Sequence, residues 1–510
     1  MLACAGVGWH FLSRLDRVEE RRELNLYTLV PPDAVAVLKV HTPLLSDNRL
    51  DWWLGEYDSG WLSDFCRKMK DILVSYHVSQ GVREQIVYCQ FDELGRHSAQ
   101  HSLSLLSPRS FPAKSLDYRG ESMRIYPLTD GRFLAVYVGE GFLVMSFQSR
   151  LIEKVMDARS TGHNIASLWN RAGLSDVPGG RGAVSLYLNA DSVPMGKNED
   201  SCAPYLHAGG WMEFDLDFRP EAFLCTGIGQ ERQSDSLSLW HALAGQHPVD
   251  TLDYGLLPSS VFAYAHWAFS DPDKLLRCMA SHSWADSLSD DYMRRRDAEW
   301  AAFLDRYAAG DAFSCLFHAK DTAWHKPCAI IGIPLRDEWE ARRHFRSWLR
   351  STPPDKSANL TGERGNSARF ALYPRARYYT QYRVPRTTLL TLFTGWECKD
   401  VLPRACFFRS MLLLAPDAHS LSAYIDALER KECLEPGILS PTDRRGQNCF
   451  FMAVGMGEVS QCPPSYVRQI PSFFLESGIG DSRSVLFLEL VKDSDGRLYP
   501  DVRLCRTDGD

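Results

Sequence analysis

The sequence predicts an α+β fold, in two duplicated copies of a mainly antiparallel β-sheet with packed helices. Three observations carry this expectation. Strand-sized apolar runs recur at hairpin spacing, helical patterns fall between them, and four pairs of segments repeat in the same order. Tyr27–Leu38 and Tyr254–Ala265 share two apolar residues, a proline, two turn formers and an apolar run, with Pro31 and Pro258 227 residues apart. Proline fixes φ there, before a ladder N–H is needed. Phe142–Ser146 with Val155–Ala158 matches Met411–Ala415 with Tyr424–Ala427 at an offset of 269. Ala183–Leu188 matches Cys449–Val454 at 266, and Met212–Leu216 matches Leu486–Leu490 at 274. One insertion in the second copy accounts for the jump, and Arg336–Arg350 has the helical pattern to be it.

The elements follow in chain order. Strands are expected at Val35–His41, Gln85–Phe91, His101–Leu106, Ser122–Pro127, Phe133–Val138, Phe142–Phe147, Ala183–Asn189, Trp211–Phe218 and Ala222–Ile228. Thr129-Asp-Gly131 and Gly139-Glu-Gly141 supply tight turns. Helices are expected at Asp51–Ser75 and Gln148–Ala158. The domain reading is a truncated anchor at 1–23, a first repeat at 24–232, a linker at 233–252 and a second repeat at 253–510.

Composition excludes several classes. The chain has 510 residues, 45% hydrophobic and 24% charged, which is ordinary for a globular protein and unlike a disordered or collagen-like chain. A net charge of −7 gives no overall attraction to nucleic acid. Fourteen cysteines are scattered without a C-x-x-C pair, so they read as small buried hydrophobes and not as a zinc or disulfide framework.

The run Met1–Leu12 is apolar except for His10, and charge begins at Arg14. It is too short to span a bilayer, which takes about 20 apolar residues. It reads as the second half of a transmembrane anchor whose start lies upstream of Met1. An ordinary N-terminal helix and a signal or lipoprotein remnant are the alternatives.

No Walker loop, G-x-S-x-G elbow, H-E-x-x-H or EF-hand loop is present. No catalytic residue, metal ligand or cofactor is therefore assigned. His97 and His101 would share a helix face, but their context reads as a turn into a strand, which spreads them. Glu213, Asp215 and Asp217 alternate with Met212, Phe214, Leu216 and Phe218, a solvated strand face with calcium as the alternative occupant. Arg294–Arg296 and Arg342–Arg350 read as charged outer faces of amphipathic helices, the second with an anionic lipid head group as an alternative partner. The candidate binding residues are Trp52, Trp53 and Trp61. Neighbouring Trp52 and Trp53 differ by about 100° on a helix, so one core cannot take both.

Four segments carry a family resemblance: Met1–Leu12, Leu29–Val35 (Leu-Val-Pro-Pro-Asp-Ala-Val), Gly141–Ala158 and the hairpin Ser484–Leu504. With them the chain resembles a bacterial family of uncharacterised cell-envelope proteins, a domain of unknown function. The resemblance implies an inner-membrane anchor at the N-terminus with the bulk in the periplasm, and it carries no catalytic signature. The leading expectation is a non-enzymatic binding or scaffolding protein with the membrane, and a protein or lipid, as partners. A lipid or lipoprotein carrier or chaperone is the alternative, and a hydrolase of unknown substrate the third reading.

Overall fold

The computed structural model describes residues 25–41, 69, 71–79, 82–91, 97, 101–104, 111–128, 130–171, 184–189, 211–218, 222–229, 239–281, 291–320, 326–351, 372–385, 387, 393–394, 403–435, 448–463, 483–494, 496 and 498–506. The chain divides into two compact units, Met1–Asn189 and Ala190–Asp510.

The first unit contains strands β1 (Ala36–His41), β2 (Asp71–Ser79), β3 (Val82–Gln90), β4 (Lys114–Tyr118), β5 (Glu121–Pro127), β6 (Phe133–Val138), β7 (Phe142–Ser146) and β8 (Val184–Asn189). They pair antiparallel in the order β8–β1–β2–β3–β7–β6–β5–β4. Helices α1 (Ser149–Thr161) and α2 (Ile165–Arg171) follow β7. α1 buries Leu151, Ile152, Val155, Met156 and Ala158, one stripe at helical spacing, and lies against β5, β6 and β7. It ends at Gly162, whose φ of 68° is the left-handed cap that glycine adopts without a Cβ clash.

The second unit contains β9 (Trp211–Phe218), β10 (Ala222–Gly229), β11 (Val261–Ala268), β12 (Asp311–Phe317), β13 (Cys328–Pro334), β14 (Tyr382–Arg383), β15 (Arg404–Phe408), β16 (Met411–Ala415), β17 (Asn448–Gly455), β18 (Ser484–Lys492) and β19 (Leu498–Arg506). Their order is β9–β10–β19–β18–β17–β11–β12–β13–β16–β15–β14. Helices α3 (Leu239–Ala244), α4 (Pro272–Ser281), α5 (Asp291–Tyr307), α6 (Glu338–Ser351) and α7 (Ala418–Glu429) accompany them.

α7 starts where the Asp417 side chain accepts from Ser420 N, at 2.8 Å. Its Leu421, Tyr424, Ile425 and Leu428 join Cys315, Cys406, Leu413, Phe451 and Phe487 in one core. A second aromatic core is built from α5, α6 and β15, with Trp300 5.8 Å and Phe407 5.4 Å from Phe345 between ring centroids. Gly332 leaves room for the Phe313 ring across the β12–β13 pair, and a Cβ there would sit 2.2 Å from that ring. A filled core of this kind tolerates no added methyl.

The expected fold class is corrected by this architecture. Among the described residues 43% are in strands and 31% in helices, and every strand pairing is antiparallel, eight strands in the first unit and eleven in the second. The molecule is therefore strand-dominated and not the expected balanced α+β protein with packed helices. Period-two patterning identifies a strand, but it does not say where one sheet stops, because an antiparallel ladder can extend at either edge.

Two local expectations also change. Asp51–Ser75 was expected to be helical, yet β2 begins at Asp71, and residues 51–68 lie outside the described residues. β2 buries six consecutive residues, Ile72 to His77, with polar Ser75 and His77 among them, so its apolar pattern does not mark a half-exposed strand. Residues 101–104 are helical and not the start of a strand, with Ser104 Oγ donating to His101 O at 2.6 Å.

Candidate functional site

The most chemically loaded place in the described first unit is the face of β2 and β3 beneath α1. Side chains two apart on a strand share a face, so Ser75 and His77 project together and Tyr88 joins them from β3. Ser75 Oγ lies 2.9 Å from His77 Nε2 and 3.0 Å from the Tyr88 hydroxyl. On the far side of the ring, His77 Nδ1 lies 3.2 Å from Asp33 Oδ1. Asp33 comes from the turn that precedes β1, and Lys154 of α1 bonds its other oxygen at 2.5 Å. One helical turn earlier, Arg150 pairs with Glu84, which stands opposite His77 in the β2–β3 register, and reaches Ser79 Oγ at 3.1 Å. The sequence places Arg150 and Lys154 four apart, so both reach down on one side of α1.

The charges are arranged to hold each other. Burial raises the Asp33 carboxyl, but His77 and the Lys154 ammonium outweigh it and hold the group well below the usual carboxylate range. Burial pushes the Tyr88 hydroxyl well up, so it stays a proton donor. In the tautomer that carries its proton on Nδ1, toward Asp33, Ser75 would donate to His77 Nε2 and accept from Tyr88. The order carboxylate, imidazole, hydroxyl is that of a nucleophilic triad. Its nucleophile is sealed, however. Ser75 and Tyr88 are 0% exposed and His77 1%. The Tyr88 hydroxyl lies 3.0 Å from Ser75 Oγ and takes up one side of it. Of Asp33, His77, Ser75 and Tyr88, only Asp33 reaches solvent, at 46% of its side chain.

A second buried polar set lies in the second unit. Arg503 of β19 pairs with Glu489 of β18, and Asp501 stands opposite Glu489 in the register. Glu489 is 0%, Asp501 4% and Arg503 8% exposed. Thr226 of β10 pairs with both Asp501 and Asp215, so this polar row continues into β9.

The sequence-predicted residues fall as follows. Trp52, Trp53 and Trp61 lie outside the described residues. Glu213, Asp215 and Asp217 alternate on β9 with buried Phe214 and Leu216, and Asp217 is exposed. His97 and His101 are both helical and exposed, and no set of three metal-binding side chains is gathered among the described residues. Arg295 is exposed, whereas Arg296 is buried and bonded to Glu299 at 2.6 Å. The described cysteines are free, and seven of the nine are buried. Burial pushes the Cys328 thiol up to about 12, so these thiols behave as apolar groups at neutral pH.

Sequence reasoning missed the Asp33–His77–Ser75 relay. Its signal was present in Ser75-x-His77-x-Ser79, polar residues at period two inside a run otherwise apolar.

No family model matches the chain, and no curated protein matches it. Six chains among solved structures do match. They include crystal form I of TP0453, at 12% identity and a TM-score of 0.26 over 42% of this chain and 81% of that one. Crystal form III gives 11% identity and a TM-score of 0.24 over 42% and 82%. Crystal form IV gives 13% and 0.25 over 40% and 79%. At these scores the likeness carries no argument about fold or function. The geometry of the molecule itself has to carry it.

Proposed function

We propose that this protein is a non-enzymatic binding or scaffolding protein of the bacterial cell envelope. Its anchor would lie in the inner membrane at the N-terminus, with the bulk in the periplasm. The observation that carries the non-enzymatic reading is the sealed relay: a Ser–His–Asp arrangement with its hydroxyl 0% exposed and capped by Tyr88 is built to hold a fold together. The apolar run Met1–Leu12 and the family resemblance support the location. Among the described residues no helix is long and apolar enough to cross a membrane.

A lipid carrier is the second reading, and close packing weighs against it. Tyr264, Phe313, Phe317 and Tyr424 are each buried to 1% exposure or less, and Phe313 lies directly over Gly332. A carrier needs an apolar cavity of several hundred Å³.

Native mass spectrometry of the full chain extracted from its own membrane tests the reading. A stoichiometric protein complex without lipid is expected. Lipid bound in stoichiometric amount would replace the scaffold by the carrier. Protease digestion of spheroplasts tests the location separately, and protection of the bulk of the chain would overturn it.

A further inference from the structure

Helix α6 presents an outer stripe that the core does not use. Arg336, just before the helix, and Trp339, Arg343, Arg346 and Arg350 recur three or four residues apart, and all five are exposed. Ala341 and Phe345 face the other way and are buried. At 1.5 Å per residue the stripe runs for about 21 Å. Trp339 is 69% exposed, the Arg343 guanidinium stacking 4.9 Å from its ring. Arg306 of α5 adjoins the stripe, with Nη2 3.8 Å from Glu340 Oε1, and Arg343 approaches the same oxygen at 3.8 Å.

Of the acids nearby, Glu340 is held by the arginines of this face and the others are engaged elsewhere. Asp337 Oδ1 accepts from Glu340 N at 2.9 Å and so caps the helix. Glu338 pairs with Arg342 and accepts from Ser410 N at 3.0 Å. Glu340 is shared between Arg306 and Arg343. Arg346 Nε donates to the Tyr382 hydroxyl at 2.8 Å, an uncharged partner. Arg336 and Arg350 have no side-chain partner among the described residues. The stripe with Arg306 and Arg342 therefore carries six arginines against Asp337, Glu338 and Glu340, while Glu299, which accepts from Trp348 at 3.0 Å, is paired with Arg296, in a chain whose net charge is −7.

We propose that this face of α6 docks on an anionic lipid bilayer, with Trp339 entering the headgroup region. The arginines are spread along a straight rod, so they match a charged plane and not a single phosphate. Indole suits the boundary between headgroup and acyl chain, where one edge is wet and the other apolar. Each arginine near an anionic surface contributes about fivefold in affinity, and the attraction decays over a Debye length of about 8 Å at physiological salt. This goes beyond the preceding reading, which places membrane contact only at the N-terminus. The two are separable, because insertion of an apolar segment is insensitive to salt and to charges on α6.

The test is co-sedimentation of the full chain with vesicles of phosphatidylcholine alone and of phosphatidylcholine with one third phosphatidylglycerol. The expected result is tighter binding to the anionic vesicles, weakening steeply with added salt. The triple variant R343E/R346E/R350E should lose that increment by at least a hundredfold and W339S by about tenfold. The control R277E, at an exposed position of α4, should keep it. An unchanged urea midpoint establishes that each variant is folded. Equal binding to both vesicle types, or an anionic increment that survives the triple variant, would overturn the proposal. Binding to soluble poly-glutamate, lost in the triple variant, without an anionic-vesicle increment would also overturn it, in favour of an acidic protein partner.

Discussion

Ser75 and His77 of β2 have register counterparts in the second unit, and those counterparts are Cys315 and Phe317. Ala36 pairs with Tyr76 and Leu188, and Ala263 pairs with Leu316 and Val454. The order β8–β1–β2–β3–β7–β6–β5 is repeated as β17–β11–β12–β13–β16–β15–β14. Following the ladders, Glu84 corresponds to Cys328 and Tyr88 to Gly332. Counting from β7 and β16 into the following helices, Lys154 corresponds to Ala423. One ladder thus fills this face with two carboxylates, an imidazole, two hydroxyls and two cations. The other fills it with thiols, an aromatic pair and a glycine under a ring, Phe317 lying 6.1 Å from Tyr424 between centroids.

The difference teaches that this strand order does not require the polar relay. Either filling closes the space between sheet and helix, so the relay is a choice of residues on a tolerant frame. A buried polar network is favourable only while every member is satisfied, whereas an apolar filling depends on shape alone. The two ladders should therefore fail in different ways.

The largest effect is expected in the apolar ladder. Phe313→Ala removes a ring that is 0% exposed and leaves a void above Gly332. It should cost about 3–5 kcal/mol in urea unfolding. A loss below about 1 kcal/mol would show that the second core collapses around the gap and is looser than described.

The next effect transplants one ladder into the other. His77→Phe leaves Ser75 buried with one partner fewer and takes the imidazole from Asp33, and it should cost about 1–3 kcal/mol. Adding Ser75→Cys, which completes the counterpart pair, should restore about 1 kcal/mol through coupling between the two sites. Strict additivity of the two substitutions would break the correspondence.

A smaller effect depends on pH. Asp33 is more acidic folded than its ordinary value of 3.8, because His77 and Lys154 outweigh burial. Its contribution is therefore present above pH 4 and is lost as pH falls through the folded value. The stability gap between wild type and Asp33→Asn should be about 1 kcal/mol at neutral pH, held low by the half-exposed carboxylate, and should close in acid. No counterpart gap is expected at Ser260, the equivalent position, whose hydroxyl donates to His318 O at 2.6 Å. The smallest effect belongs to Lys154→Met, with both partners about half exposed, at under about 0.5 kcal/mol.

Much of the strand pattern was legible in the sequence. Phe133–Val138 and Trp211–Phe218 match β6 and β9 residue for residue: the first is an apolar run cut off by the turns at Gly131 and Gly139, and the second alternates apolar with acidic residues. β2 was not legible, because six buried residues in a row erase the alternation that marks a half-exposed strand. The fold class failed at the level of assembly, where the pairing of strand edges decides and no local pattern records it. The relay was half legible. Ser75 and His77 stand two apart in the sequence, but Asp33, Lys154 and Tyr88 reach them only through pairing and packing. Trp52, Trp53 and Trp61 rested on helical geometry alone, with no neighbour to fix what they face.

The central claim is that Ser75 sits in a sealed structural relay and is not a nucleophile. Reaction of the folded full chain with a fluorophosphonate, followed by mass spectrometry of the peptide containing Ser75, tests it most directly. The account predicts no adduct at Ser75. Stoichiometric phosphonylation of Ser75 that disappears in His77→Ala would contradict it and restore the hydrolase.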